Sequence, residues 1–136
     1  LGAVQKVNTA MDATLDAALL SKMNQRDQIL NCIVDGPLAF DNAISKEAAL
    51  IKGIESPVAG EADIFVVPDL EAGNMLAKQL TYLIDADAAG IVAGARVPII
   101  LTSRADSARA RLTSCAVAAA VADAGRTGSG GIKADV

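Results

Sequence analysis

The chain reads as an α/β protein, a layered open sheet with flanking helices, on two observations. Its apolar residues alternate along the sequence between short continuous runs and stretches at helical spacing, the pattern of strands feeding helices in layers. The apolar fraction of 52% contains only 2% aromatics, so the interior must be assembled from Ala, Val, Ile and Leu, whose small side chains let helix and sheet approach closely. At 136 residues the length is that of one ordinary domain, and such a domain buries about two thirds of its unfolded surface without a staple.

Residues 2–7 open as a strand, although the chain begins at Leu1, which suggests a trimmed protein or the second part of a longer one. Asp12 or Thr14 is placed to cap a helix whose buried stripe would be Leu15, Ala18, Leu19 and Met23. The apolar run 29–34 is a buried strand ending at Asp35-Gly36-Pro37. A helix over 40–51 then carries Phe40, Ile44 and Ala48 inward, with Gly53 placed to end it. The unit repeats: 63–67 is a strand, 68–74 a loop, and 75–84 a helix with Leu76, Leu80 and Leu83 inward. Strands over 90–94 and 98–101 lead through Thr102-Ser103-Arg104-Ala105-Asp106-Ser107 into a long helix over 108–124. One domain is expected over 1–124, with a flexible glycine-rich tail over 125–136.

Composition excludes several chemistries. The absence of histidine removes Ser-His-Asp and Cys-His catalysis and every imidazole-dependent metal site from this chain. Cys32 and Cys115 lie in apolar runs and read as inert buried thiols, which makes a reducing cytoplasm the default compartment. A net charge of -4 argues against nucleic acid as a partner. The longest apolar stretch, 88–101, is interrupted by Arg96 and Pro98 and is too short for a bilayer, so no membrane partner is expected.

Three polar loops leave the carboxyl ends of expected strands, where ligands bind in open α/β sheets. Each also has a plain structural reading: Asp35-Gly36-Pro37 as a turn, 68–74 as a capping loop, 102–107 as an N-cap. The third has the most specific chemistry. A Ser103-Arg104 pair at a helix start combines free backbone N–H groups, a hydroxyl and a guanidinium fork, which together suit phosphate, a CoA phosphate or a developing oxyanion. In the second loop Asp69 and Glu71 stand beside Gly73, which permits close backbone approach, and Asn74, which offers a donor and an acceptor. Capping of the following helix is the simpler role for one of those carboxylates.

In order and spacing, Asp35-Gly-Pro-Leu-Ala-Phe-Asp-Asn-Ala-Ile44, Pro68-Asp-Leu-Glu-Ala-Gly-Asn74 and Val97-Pro-Ile-Ile-Leu-Thr-Ser-Arg-Ala-Asp-Ser107 resemble three successive signatures of the phosphate acetyl/butyryltransferase family. The resemblance covers nearly all of 1–124. It is closest to the butyryltransferase-like branch, including the acetyltransferase part of proteins fused to an enoyl-CoA hydratase-like domain. It implies a cytoplasmic, homodimeric, metal-free and cofactor-free enzyme of two α/β domains, the second of which this chain matches, in a fold related to isocitrate and isopropylmalate dehydrogenases. Acyl-CoA and phosphate would exchange the acyl group in the cleft between those domains, giving acyl phosphate such as acetyl phosphate.

Carried over by position, Ser103 and Arg104 match the family's reacting pair, with Arg104 on the acyl carbonyl or phosphate and Ser103 orienting the thiol or the intermediate. Asp35, Gly36, Asp69, Glu71, Gly73, Asn74 and Thr102 fall on the substrate-binding signatures. Ala110 stands where the acetyltransferase branch has a carboxylate base; Asp106, a turn earlier, is the carboxylate that would substitute, or else simply a helix-start charge. Two other readings stand beside this one. A β-decarboxylating dehydrogenase-like protein would need a cluster of metal-binding carboxylates, which the spacing does not supply. A non-catalytic CoA- or phosphate-binding or dimerisation fragment needs no more than the loops themselves.

Overall fold

A computed structural model of the protein describes residues 1–127, with the side chain of Thr127 excepted; the expected flexible tail lies mostly outside them. Among the described residues five helices form where the periodicity turns helical: α1 (Asp12–Gln25), α2 (Phe40–Ile44), α3 (Lys46–Ile51), α4 (Leu70–Leu83) and α5 (Ala108–Thr127). The chain divides into two compact units, Leu1–Met75 and Leu76–Val136. The boundary falls within α4.

The first unit is built on small and polar buried side chains. Helix α1 is entered from Met11 without a side-chain cap. Thr14, one of the two expected caps, instead sits 0% exposed in the first turn and closes the preceding loop. Its hydroxyl donates towards the carbonyls of Asn8 and Met11 and accepts from the N–H of Asn8, all at 2.8–2.9 Å. The face of α1 turned inward carries Thr14 and Ser21, whereas Leu15 and Leu19 of the expected stripe are exposed, Leu19 at 61%. The Thr14 hydroxyl bonds back to the preceding loop from that face, and the leucines stand on the other side.

The expected helix over 40–51 is broken in two at Ser45. That residue turns to an extended conformation (φ -123°, ψ 115°) and caps α3, its Oγ accepting from the Ala48 N–H at 3.2 Å. Gly53 ends α3 as expected. Its φ of +64° is the left-handed value, and the N–H groups of Gly53 and Ile54 reach back to the carbonyls of Leu50 and Ala49, both at 3.0 Å. The segment that follows returns over α2: Gly60 N–H donates to Asn42 O at 2.8 Å and Ala62 N–H to Ala43 O at 3.3 Å. Asn42 is 0% exposed, and neither of its side-chain amide atoms has a partner among the described residues. Phe40 and Phe65 meet at 5.8 Å between ring centroids.

The expected strands do not form as ladders. Among the described residues the sole β pairing is an isolated antiparallel bridge, Val92 with Ile99, its Val92 N–H donating at 2.8 Å; Gly94 at φ +87° lies between its arms. An extended run becomes a strand only when a second backbone lies alongside to take its polar groups. Along 29–34 those groups are taken by a side chain. The Asn24 amide donates to the carbonyls of Ile29 and Cys32, and its oxygen accepts from the Val34 N–H at 2.9 Å. Asn31 has φ +63°, which breaks extended geometry in mid-run and is tolerated by an asparagine. Residues 2–7 and 63–67 are likewise unpaired segments, joined to the rest by single bonds such as Gly2 N–H to Leu38 O at 2.8 Å and the Leu1 amine to Val66 O.

Helix α4 begins at Leu70, so most of the expected loop 68–74 is helix. It buries no residue: Leu80 and Leu83 of the expected stripe are exposed, Leu83 at 78%. Lys78 Nζ stands 5.6 Å from the Tyr82 ring centroid on its surface. Helix α5 runs past the expected end at 124, through Gly125, to Thr127. Within the second unit the Ser114 hydroxyl, 1% exposed, accepts from the Gly90 N–H at 3.0 Å and donates to Ala110 O at 2.8 Å, pinning the segment before the bridge to α5. Both cysteines, expected to be buried, are exposed. Cys32 lies on the unpaired run, and Cys115 follows the buried Ser114 on α5 and so faces away from it. Among the described residues no helix is long and apolar enough to cross a membrane.

Candidate anion site at the head of the long helix

The loop 102–107 is a tight, internally bonded turn. Asp106 and Ser103 form a reciprocal pair: the Ser103 N–H donates to Asp106 Oδ2 at 2.7 Å and the Asp106 N–H donates to Ser103 O at 3.1 Å. Ser103 Oγ accepts from the Ala105 N–H at 3.4 Å, which leaves its own O–H free to donate. Ser107, next in line, is the N-cap of α5, its Oγ accepting from the Ala110 N–H at 3.1 Å. The N-cap reading therefore holds for Ser107, while Ser103 and Arg104 stand one turn before the helix.

Three guanidinium groups gather along this stretch, and two are occupied. Arg109 pairs with Asp87 at 2.7 Å, and Arg111 donates to the backbone carbonyl of Arg104 at 3.3 Å. Arg104 is exposed, and its guanidinium has no partner among the described residues. A hydroxyl donor and an unoccupied planar fork on consecutive residues can grip a phosphate or carboxylate oxygen pair and can stabilise an oxyanion. Thr102, half-buried, precedes them. Sequence reasoning did not single out Arg109 and Arg111. A signal for them exists: cations near the start of a helix oppose its macrodipole, so two arginines among its first four residues call for other partners.

The other expected site residues lie in the first unit. Asp35 Oδ1 accepts from the Gly36 N–H at 2.8 Å, a local turn contact, and the Gly36–Pro37 bond is cis. Gly36 lies against α1, where a Cβ would come 3.1 Å from that of Ala17. Asp69 caps α4, its Oδ1 accepting from the Ala72 N–H at 2.7 Å and its carbonyl from the Gly73 N–H at 3.1 Å. The capping role is thus the one its carboxylate performs. Glu71, Gly73 and Asn74 stand within the opening turns of α4, and a Cβ on Gly73 would come 2.9 Å from Val67 Cγ2, so that glycine lets the helix close onto the extended run before it. Among the described residues no hydrogen bond or ion pair links Asp35 or Gly36 to the 69–74 group. Ser103, Arg104 and Asp106 belong to the second unit.

Asp41, in the segment after the first loop, accepts from Lys52 Nζ at 2.9 and 2.7 Å and from the Asn42 N–H at 2.8 Å. The Lys52 hydrogen bond is the main cause holding its carboxyl below the ordinary value. Among the described residues no group of three or more metal-ligating side chains is placed to hold a metal ion.

By its donors, then, this chain presents, just before a long helix, a turn with a hydroxyl proton and an exposed guanidinium available to a ligand. The protein-family model for phosphate acetyl/butaryl transferase matches residues 1–119, and the chain belongs to that family. It is 67% identical over 119 residues to a phosphate acetyltransferase of Rhizobium meliloti, covering 88% of this chain and 38% of that protein. To a phosphate butyryltransferase of Clostridium acetobutylicum it is 53% identical over 120 residues, covering 88% and 40%. Its structure resembles the crystal structure of a branched-chain phosphotransacylase from Enterococcus faecalis V583, with a TM-score of 0.73 and 35% identity over 86% of this chain and 42% of that one. The chain therefore spans about two fifths of the length of the relatives it matches.

Proposed function

We propose that this chain is part of a phosphate acyltransferase that moves an acetyl or butyryl group reversibly between CoA and inorganic phosphate. The observation that carries the reading is the Ser103-Arg104 pair, whose hydroxyl proton and guanidinium have no partner among the described residues while the turn around them is held by Asp106 and Arg111. In the direction of acyl phosphate, a phosphate oxygen attacks the thioester carbonyl, the carbon–sulfur bond breaks, and the proton released by hydrogen phosphate passes to the departing thiolate. Arg104 stabilises the charge that develops on the carbonyl oxygen or on phosphate, and the Ser103 hydroxyl donates to the intermediate or to the sulfur. The chemistry asks for no cofactor, and CoA is a substrate.

Asp35, Gly36, Asp69, Glu71, Gly73, Asn74 and Thr102 form the substrate-binding set of this reading, with Asp35 and Asp69 acting through the turns they hold. Residues 1–124 constitute the C-terminal α/β part of a cytoplasmic homodimer in the isocitrate/isopropylmalate dehydrogenase-like fold. The likeness to the Enterococcus faecalis phosphotransacylase supports a phosphotransacylase fold, and the higher identity to the Rhizobium meliloti protein supports acetyl as the group carried.

A second reading, a CoA- or phosphate-binding or dimerisation fragment without turnover, asks of this chain only the bonded turn and its unpartnered donors. Measuring CoA release from acetyl-CoA and butyryl-CoA, with and without phosphate, separates the two. Phosphate-dependent release that falls at least about a hundredfold in Arg104→Ala, a loss typical of removing a stabilising donor, is the expected result. Wild-type turnover in that variant would sink the assignment, and phosphate binding without release would favour the second reading.

A further inference from the structure

The turn that carries Ser103 and Arg104 is held by two side chains from outside the pair. On the amino side, Asp106 Oδ2 accepts the Ser103 N–H at 2.7 Å while the Asp106 N–H returns to Ser103 O at 3.1 Å, closing a ring around the turn. On the carboxyl side, Arg111 Nη2, from the second turn of α5, donates to the Arg104 carbonyl at 3.3 Å. Ser107 fixes the helix that carries Arg111 by capping it at Ala110. The nearby carboxylates have other partners: Asp106 turns Oδ2 to the backbone, and Asp87 is paired with Arg109.

We propose that Asp106 and Arg111 are positioning residues, which fix the backbone on either side of the Ser103-Arg104 bond so that the serine hydroxyl and the arginine fork present together to an anionic substrate. The inference rests on the phosphate acyltransferase reading for the identity of that anion. It assigns Arg111 a role, and it gives Asp106 a part in holding the turn instead of taking a proton. A carboxylate that accepts a backbone N–H needs only its acceptor oxygen for this purpose, so the neutral amide of asparagine can replace it. The Arg111 contact needs only a donor, so lysine can replace arginine.

The test uses the 136-residue chain, its amide exchange followed by NMR, and titration with inorganic phosphate. In wild type the Ser103 amide exchanges slowly, Asp106→Ala releases it, and Asp106→Asn restores most of the protection. Phosphate affinity falls about fivefold in Asp106→Ala and in Arg111→Met, as expected when one hydrogen bond worth about 1 kcal/mol is lost, and less than about twofold in Asp106→Asn and Arg111→Lys. In phosphate-dependent CoA release the same order holds, with an unshifted pH profile in Asp106→Asn. Loss of more than about a hundredfold in Asp106→Asn, together with loss of the acid limb of that profile, would mark a general base and overturn the proposal. Fast exchange of the Ser103 amide in wild type would overturn it equally. If the chain neither binds phosphate nor transfers acyl groups, the function reading fails while the Ser103 exchange pattern still decides the positioning.

Discussion

Asp41 and Asn42 are adjacent yet face opposite electrostatic situations. The Asp41 carboxylate takes two contacts from Lys52, and its folded pKa lies below that of the unfolded chain. A depressed carboxylate contributes stability that is present above its unfolded pKa and is lost as pH falls through the folded value. Lys52→Met should therefore lower Tm at neutral pH and flatten its dependence on pH below about 4, where the unfolded carboxylate takes up its proton before the folded one does; an unchanged acid limb of the Tm profile would contradict this. Asn42 has both amide atoms buried and unpaired among the described residues. An unsatisfied buried polar group costs about 1–3 kcal/mol, so Asn42→Leu, similar in volume, should be neutral or should stabilise by up to about 1 kcal/mol in a urea titration. A loss above about 2 kcal/mol would mean that the amide has a partner.

Among the elements, the presence of helices was legible in the sequence, two of their ends were legible as well, and strands were the least legible. Gly53 was readable as a terminator because its left-handed φ is a local property, and Asp69 as a cap because an acceptor three residues before a free N–H is local too. Ser45 was missed: a serine amid Phe40, Ile44 and Ala48 continues the helical spacing, and nothing in the pattern says that its side chain will turn to Ala48. The cap is testable, since Ser45→Ala should cost about 1 kcal/mol, read from the urea midpoint at constant slope. No measurable change would show that α2 and α3 are one helix in solution. Strand expectations failed for a different reason. The run 29–34 has the right composition, but a strand is a relation between two backbones, and the Asn24 amide five residues before that run takes the bonds a neighbour would have taken. The candidate site divides along the same line. Ser103 and Arg104 were legible from residue type and position, whereas Arg111 acts on a carbonyl seven residues back, a contact that depends on how the turn folds.

At the scale of the molecule, the interior differs from what the apolar composition implies. Among the described residues the largest fully buried side chains are the polar Asn42, Thr14 and Ser114, and the buried apolar ones are Leu38 and three alanines, while leucines and isoleucines such as Leu19, Ile64 and Leu83 are exposed. Apolar surface of this kind attracts partners or dyes. The chain is accordingly expected to enhance 1-anilinonaphthalene-8-sulfonate emission under native conditions, and emission no higher than that of free dye would count against the exposure of these side chains. The distribution of rings has a consequence for anyone following the protein by light. There is no tryptophan, and the one tyrosine, Tyr82, is 69% exposed beside Lys78 on the part of α4 that belongs to the second unit. Residues 1–75 hold only the phenylalanines Phe40 and Phe65. Intrinsic emission is therefore blind to the first unit: a melting curve recorded that way describes the surroundings of a single surface ring, and only a backbone signal such as far-ultraviolet dichroism reports on the half of the chain that carries Asp35 and Asp69.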